Sequence, residues 1–157
     1  MTSRMDEILE RLGNTFTDRS RRVVELSIER FDHLGASTFD TTHLLHGLYL
    51  EGDGVAFHVL SHFRFTSPPK LEIRLVPQKA EKIEFTVDPE FAIVAHAITF
   101  SNRWTPHRHI GTENLLIGVA AAGTKSALSL ANLGIVPADL VMELYNLLGQ
   151  GLASGVD

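Results

Sequence analysis

The amino-acid sequence predicts an all-α domain made of two pseudo-symmetric four-helix repeats, preceded by one extra helix. Three observations predict it. Apolar residues recur at helical spacing along most of the chain, capping residues and glycines punctuate that spacing, and the punctuation returns after a shift of 71 residues.

The first element is short. Met5, Ile8, Leu9 and Leu12 fall at i, i+3, i+4 and i+7, one apolar stripe that ends at Gly13. Phe16-Thr17-Asp18 then announces a second helix. Thr17 caps its orphan amides, Val24, Ile28 and Phe31 face inward, and Gly35 stops it. Thr41 is read as the cap of a third helix through Leu44, Leu45 and Leu48, broken at Gly52-Asp53-Gly54. Val55, Ala56, Val59, Leu60 and Phe63 carry the next stripe. Ser67-Pro68 opens a fourth short helix with Leu71 and Leu75 on one face, and proline at the first helical position sacrifices no hydrogen bond there.

From Pro77 to Val87 the text turns polar and reads as a linker. Ile83, Phe85 and Val87 alternate as a strand would, but an isolated strand has no sheet to join. Asp88-Pro89 then caps a helix over Glu90–Asn102, with Val94, Ala97 and Ile98 inward. The 71-residue shift carries Val23 to Val94, Thr41 to Thr112, Leu44 and Leu45 to Leu115 and Leu116, Gly47 to Gly118, and Gly52 to Gly123. Near the end of each half the shift falls to 69, and Pro68, Leu71 and Leu75 land on Pro137, Leu140 and Leu144. The expected organisation is an extra helix in 1–14, one repeat in 15–76, a linker in 77–87, a second repeat in 88–149 and a flexible tail in 150–157. Gly47 and Gly118 sit mid-helix, where glycine costs about 1 kcal/mol against alanine, so each is expected to permit a close helix approach.

Composition narrows the function classes. Apolar residues make up 44% and charged residues 21% of the 157, an ordinary globular balance. No apolar run approaches the roughly 20 residues that span a bilayer, and the N-terminal stripe carries charges unlike a secretory signal. The absence of cysteine excludes disulfides and thiolate metal sites and suits a reducing cytoplasm. Net charge is −5 with scattered cations, which argues against a nucleic-acid partner.

Three phrases carry a family resemblance. Phe16-Thr17-Asp18-Arg19 leads a helix, Thr41-Thr42-His43-Leu44-Leu45-His46-Gly47-Leu48 follows, and then Glu51-Gly52-Asp53-Gly54-Val55-Ala56. The second copy reads Ile110-Gly111-Thr112-Glu113-Asn114-Leu115-Leu116-Ile117-Gly118. In this order, twice over, they resemble the Clp N-terminal repeat, whose signature runs F-T-x-R-A, G-T-E-H-L-L-L-G-L and E-G-x-G-V-A. The resemblance covers about residues 16 to 149.

It implies a receptor module that docks protein substrates or adaptors for a Clp ATP-dependent unfoldase, with no cofactor and no catalysis of its own. In some members the Glu of the G-T-E-H phrase and the Thr of the F-T phrase help to bind phosphorylated arginine. Glu113 matches that Glu in the second repeat and Thr17 that Thr in the first. Thr42 stands at the Glu position of the first repeat, and Asp88 at the Thr position of the second. Taken repeat by repeat, each site lacks half its equipment, so phosphoarginine is expected to bind weakly or not at all. The open helix starts around Thr17, Thr41, Thr42, Asp88, Thr112 and Glu113 remain the candidate contacts for a carboxylate or other anion. The alternative implied is an accessory subunit that braces Clp ATPase or protease rings.

Other constellations fall short. Gly118 to Ser126 approaches a phosphate-binding loop, but the lysine does not directly follow the second glycine and the phrase lies in a helical register. His43 with His46, and His58 with His62, have metal-ligand spacing without an HExxH phrase, so a histidine–metal hydrolase ranks far behind. Ser20, Ser27 and Ser101 have no paired base. His107-Arg108-His109 reads as a solvated or partner-contacting loop rather than a catalytic one. Trp104, the only tryptophan, reads as a loop residue packed on the core, ahead of the alternative, a rim aromatic that anchors a partner.

Overall fold

The computed structural model describes residues 3–66, 85–104 and 108–149. The fold is all-α. Among the described residues eight helices run in chain order: α1 (Arg4–Leu12), α2 (Asp18–Leu34), α3 (Thr41–Leu50), α4 (Val55–His62), α5 (Phe91–Asn102), α6 (Thr112–Ala121), α7 (Thr124–Asn132) and α8 (Pro137–Gly149). The helix expected after Ser67-Pro68, with Leu71 and Leu75, and the tail from 150 lie outside the described residues, as does His107.

Helix boundaries follow local chemistry. Ser3 caps α1 by accepting the Asp6 amide, and Thr17 caps α2 by accepting that of Ser20. Gly35 closes α2 in the left-handed region at φ 64°, its amide bonded back to Asp32 and Phe31. At α3 the cap is Asp40 rather than Thr41. Asp40 accepts the Thr42 amide, while its own N–H donates to His43 Nδ1 at 2.9 Å. At α6 the cap position is Gly111, whose N–H donates to Asn114 Oδ1 at 2.9 Å. Thr41 and Thr112 are thus first helical residues, and their hydroxyls bond outside their own helix starts.

α6 lies at the centre of the molecule. Thr112 through Ala120 are all buried, as expected of a helix that is apolar around its whole circumference. α5 and α8 pack against α6, α2 packs against α3, and α3 meets α6. One contiguous core joins Val23, Leu44, Leu45 and Leu48 of the first half to Val94, Leu115, Leu116 and Leu144 of the second. Ile8, Leu9 and Leu12 bury the stripe of α1 across α2 and α5.

Glycine sets the closest approaches. A Cβ on Gly47 would lie 2.0 Å from Ser27 Oγ and 2.7 Å from the Val23 carbonyl, and one on Gly118 would lie 2.6 Å from Ile98 Cγ1. Both α2–α3 and α5–α6 therefore pack backbone against helix face, as the mid-helix glycines led us to expect.

The residues at the end of the expected linker do find a sheet. Thr86–Val87 (β2) pairs in parallel with Thr38–Phe39 (β1), matching Thr38 to Thr86 and Phe39 to Val87. A second parallel bridge joins Phe16 to Ile110. The 71-residue shift carries Phe16 to Val87 and Phe39 to Ile110, so it exchanges one bridge for the other. That exchange is what a two-fold relation between duplicated halves requires. Trp104 departs from expectation. It is 59% exposed beside Phe100, because the turn after α5 ends above the surface rather than folding back on the core.

Candidate functional site

The two bridges create two corners, each built from both repeats. In the first, the Thr17 N–H donates to the Ile110 carbonyl at 3.0 Å, and Ser20 Oγ donates to the same oxygen at 2.9 Å. The Thr17 hydroxyl donates to Ser20 Oγ while accepting the Ser20 amide. Arg19 Nη2 meets Asp53 Oδ2 at 2.9 Å and Arg19 Nε lies 3.8 Å from Glu51, whose carboxylate accepts the Asp53 and Gly54 amides at the start of α4. Three residues beyond Ile110, in the first turn of α6, stands Glu113, fully buried. A carboxylate at this position is favoured by the positive end of the helix dipole.

In the second corner, the Asp88 N–H donates to the Phe39 carbonyl at 2.9 Å. Asp88 accepts the Glu90 amide at 2.9 Å and Lys125 Nζ at 3.0 Å, and Lys125 also lies 3.9 Å from Asp40. The Glu90 amide, then Lys125, hold the Asp88 carboxyl below its usual range; Asp88 in turn raises the Lys125 ammonium. Glu90 reaches the start of α7, where its carboxylate accepts the Thr124 amide at 2.9 Å and the Thr124 hydroxyl. Three carboxylates gather around one ammonium.

The corners are the same construction with different charges. Under the 71-residue shift Arg19 becomes Glu90 and Asp53 becomes Thr124, and each pair is in contact. Thr17 and Glu113 share the first corner, whereas Asp88 and Thr42 share the second. Counting by repeat had divided these residues differently, because sequence order does not show which helix start each bridge brings alongside. Arg19, Asp53, Glu90 and Lys125 were missed as members of the corners. Their signal was present in the shift, which aligns them.

Thr41 and Thr112 are fully buried between the corners and bind inward. Thr41 Oγ1 accepts the Ser126 amide at 3.1 Å and donates to Glu90, while Thr112 Oγ1 accepts the Ala56 amide at 3.1 Å. Each threonine caps a helix of the other repeat.

The remaining motifs resolve into structure. Gly118 to Ser126 is the end of α6, a turn and the start of α7, and Ser126 Oγ donates to the Val119 carbonyl instead of facing a phosphate. His43 caps α3 and stacks on Phe39 at 5.4 Å, and burial lowers its pKa. Burial first, then Arg30, lowers His46 to about 4. His58 and His62 are exposed. Ser20, Ser27 and Ser101 each donate to a backbone carbonyl. No single described helix is long and apolar enough to cross a membrane.

Fold and corners define the class: a duplicated all-helical domain whose helix starts meet in pairs across an internal two-fold. The solved N-terminal domain of the caseinolytic-protease-associated chaperone ClpD from Arabidopsis thaliana has this fold, with TM-score 0.57 and 20% identity over 85% of this chain and 96% of that one. In sequence the chain is 28% identical over 145 residues to the chaperone ClpB of Oceanobacillus iheyensis, and 28% identical over 139 residues to ClpC/MecB, the negative regulator of genetic competence of Bacillus subtilis. Each match covers 86% of this chain and 17% of the relative, so the chain spans about a sixth of the length of these proteins. No family model matches. The chain thus has the fold of a Clp N-terminal domain and is similar in sequence to Clp chaperones.

Proposed function

We propose that this domain is a non-enzymatic docking module that receives protein substrates or adaptors for a Clp-type unfoldase, and that it does so through the Thr17–Glu113 corner. The observation that carries this reading is the asymmetry of the corners. At the start of α2 the first corner offers uncharged Thr17, with Arg19 paired to Asp53 and Glu51 alongside and the buried Glu113 carboxylate behind it, whereas the second places charged Asp88 at the matching position. The second is filled from within by Asp88, Glu90, Asp40 and Lys125, and repels anions. Thr41 and Thr112 support both corners from behind. The likeness to ClpC/MecB and ClpB supports the assignment to substrate or adaptor traffic.

The test is binding of the purified domain to separate components of a Clp system: adaptors, unfolded substrate, ATPase rings and protease rings. Capture of adaptor or substrate, weakened at least tenfold by Thr17→Asp, is the expected result. Capture of rings alone would replace this reading with that of a bracing subunit.

A further inference from the structure

α2 and α5 are counterparts under the 71-residue shift, yet their outward faces have opposite chemistry. Ile93, Phe100 and Trp104 of α5 and its following turn stand where α2 carries Arg22, Glu29 and His33. All three α2 residues are exposed, so the fold tolerates a charged face here. On the α5 side Ile93 is 61% and Phe100 52% exposed. Packing does not demand these apolar groups, and contiguous exposed apolar surface marks a contact site.

The surface is also shaped. Ile93, Ala97 and Phe100 form one wall of a groove of about 560 Å³, Ile117 and Ala121 of α6 contribute to its floor, and Tyr145 of α8 stands opposite. Arg103 lies at the end of this wall, its guanidinium 5.9 Å from the Phe100 ring centre. It carries the one full charge among the groove's lining residues, and it forms no ion pair among the described residues. Its sign is opposite to that of a protein with net charge −5. We infer that this groove docks a short apolar protein segment flanked by carboxylates, the apolar side chains lying between α5 and α8 and an acidic group meeting Arg103. The groove's floor runs from Ile117, one turn along α6 from Glu113, to Ala121, about 12 Å along the helix, and its walls belong to α5 and α8, so the inference stands independently of the corner.

Trp104, 6.5 Å from Phe100 between ring centres, is a built-in reporter. The experiment titrates the intact chain with a synthetic amphipathic peptide of leucine and glutamate, and with the same peptide carrying lysine for every glutamate, following tryptophan emission. The expected result is a blue shift and about three- to tenfold tighter binding of the acidic peptide, although overall charge favours the lysine peptide. Arg103→Glu should reverse the preference. Phe100→Ser, at an exposed position and checked for helicity by circular dichroism, should weaken both peptides at least tenfold. Equal affinity for both peptides, a preference unmoved by Arg103→Glu, or no spectral change overturns the inference. A concentration-dependent shift without peptide, matched by dimer formation in sedimentation, overturns it in favour of a second copy.

Discussion

Thr41 Oγ1 accepts the backbone N–H of Ser126, 85 residues along the chain, at 3.1 Å. Thr112 makes the matching bond to the Ala56 amide in the opposite direction, also at 3.1 Å. These reciprocal caps tie each half to the other through groups with no access to water. Replacing either threonine by valine keeps the volume and strands a buried helix-start amide, so each change should cost about 1–3 kcal/mol. Urea unfolding of Thr41→Val, Thr112→Val and the double variant measures this. The two losses should add to within about 0.5 kcal/mol, since the two threonines cap different amides, Ser126 and Ala56.

Gly47 and Gly118 differ in what crowds them. The Cβ of Gly47→Ala would meet the Val23 carbonyl, which cannot move without bending α2, whereas that of Gly118→Ala would meet the side chains of Ile98 and Val94. Alanine's better helix propensity returns about 1 kcal/mol in both cases. Gly47→Ala should therefore destabilise by about 2–3 kcal/mol and Gly118→Ala by about 1 kcal/mol or less. Ser27→Ala should relieve Gly47→Ala only partly, because the carbonyl contact remains. Thermal unfolding of the set checks this order.

Acid should weaken the fold through two histidines. Burial lowers His43, and lowers His46 from 6.5 to about 4. The unfolded chain then takes up these protons first, so stability falls as pH drops below about 6.5 and levels off near 4 for His46. The slope is at most about 1.4 kcal/mol per pH unit per histidine. Urea midpoints between pH 7 and pH 4 should decline, and His46→Leu should flatten the decline.

The corners were only partly legible in the sequence. Thr17 and Gly35 could be assigned because a cap and a left-handed stop act on amides within a few residues. Thr41 and Thr112 were misread as caps of their own helices because their true acceptor role involves amides far along the chain. Thr86–Val87 looked like a strand without a sheet because its partner, Thr38–Phe39, lies in the other repeat. Trp104 was expected on the core rather than at a rim, and no local signal tells whether a turn folds inward. The duplication, by contrast, was plain, since Gly47 with Gly118 and Leu44-Leu45 with Leu115-Leu116 occupy matching positions in one shared core.

The same cross-repeat pairing revises the expectation for phosphoarginine. Thr17 and Glu113 occupy one corner, and the other offers only Asp88, Asp40 and Glu90 around Lys125. Calorimetry with free phosphoarginine should therefore show no more than one equivalent per chain, any such binding vanishing in Glu113→Gln and persisting in Asp88→Ala. A second equivalent would contradict this assignment of the corners.

The most direct measurement of the docking claim is competition. Degradation of an adaptor-delivered substrate by a Clp unfoldase–protease is followed with increasing amounts of this domain. The account predicts that the wild-type chain and Asp88→Ala slow degradation alike, while Thr17→Asp, folded by circular dichroism, fails to do so. Equal inhibition by all three, or inhibition by none, would contradict it.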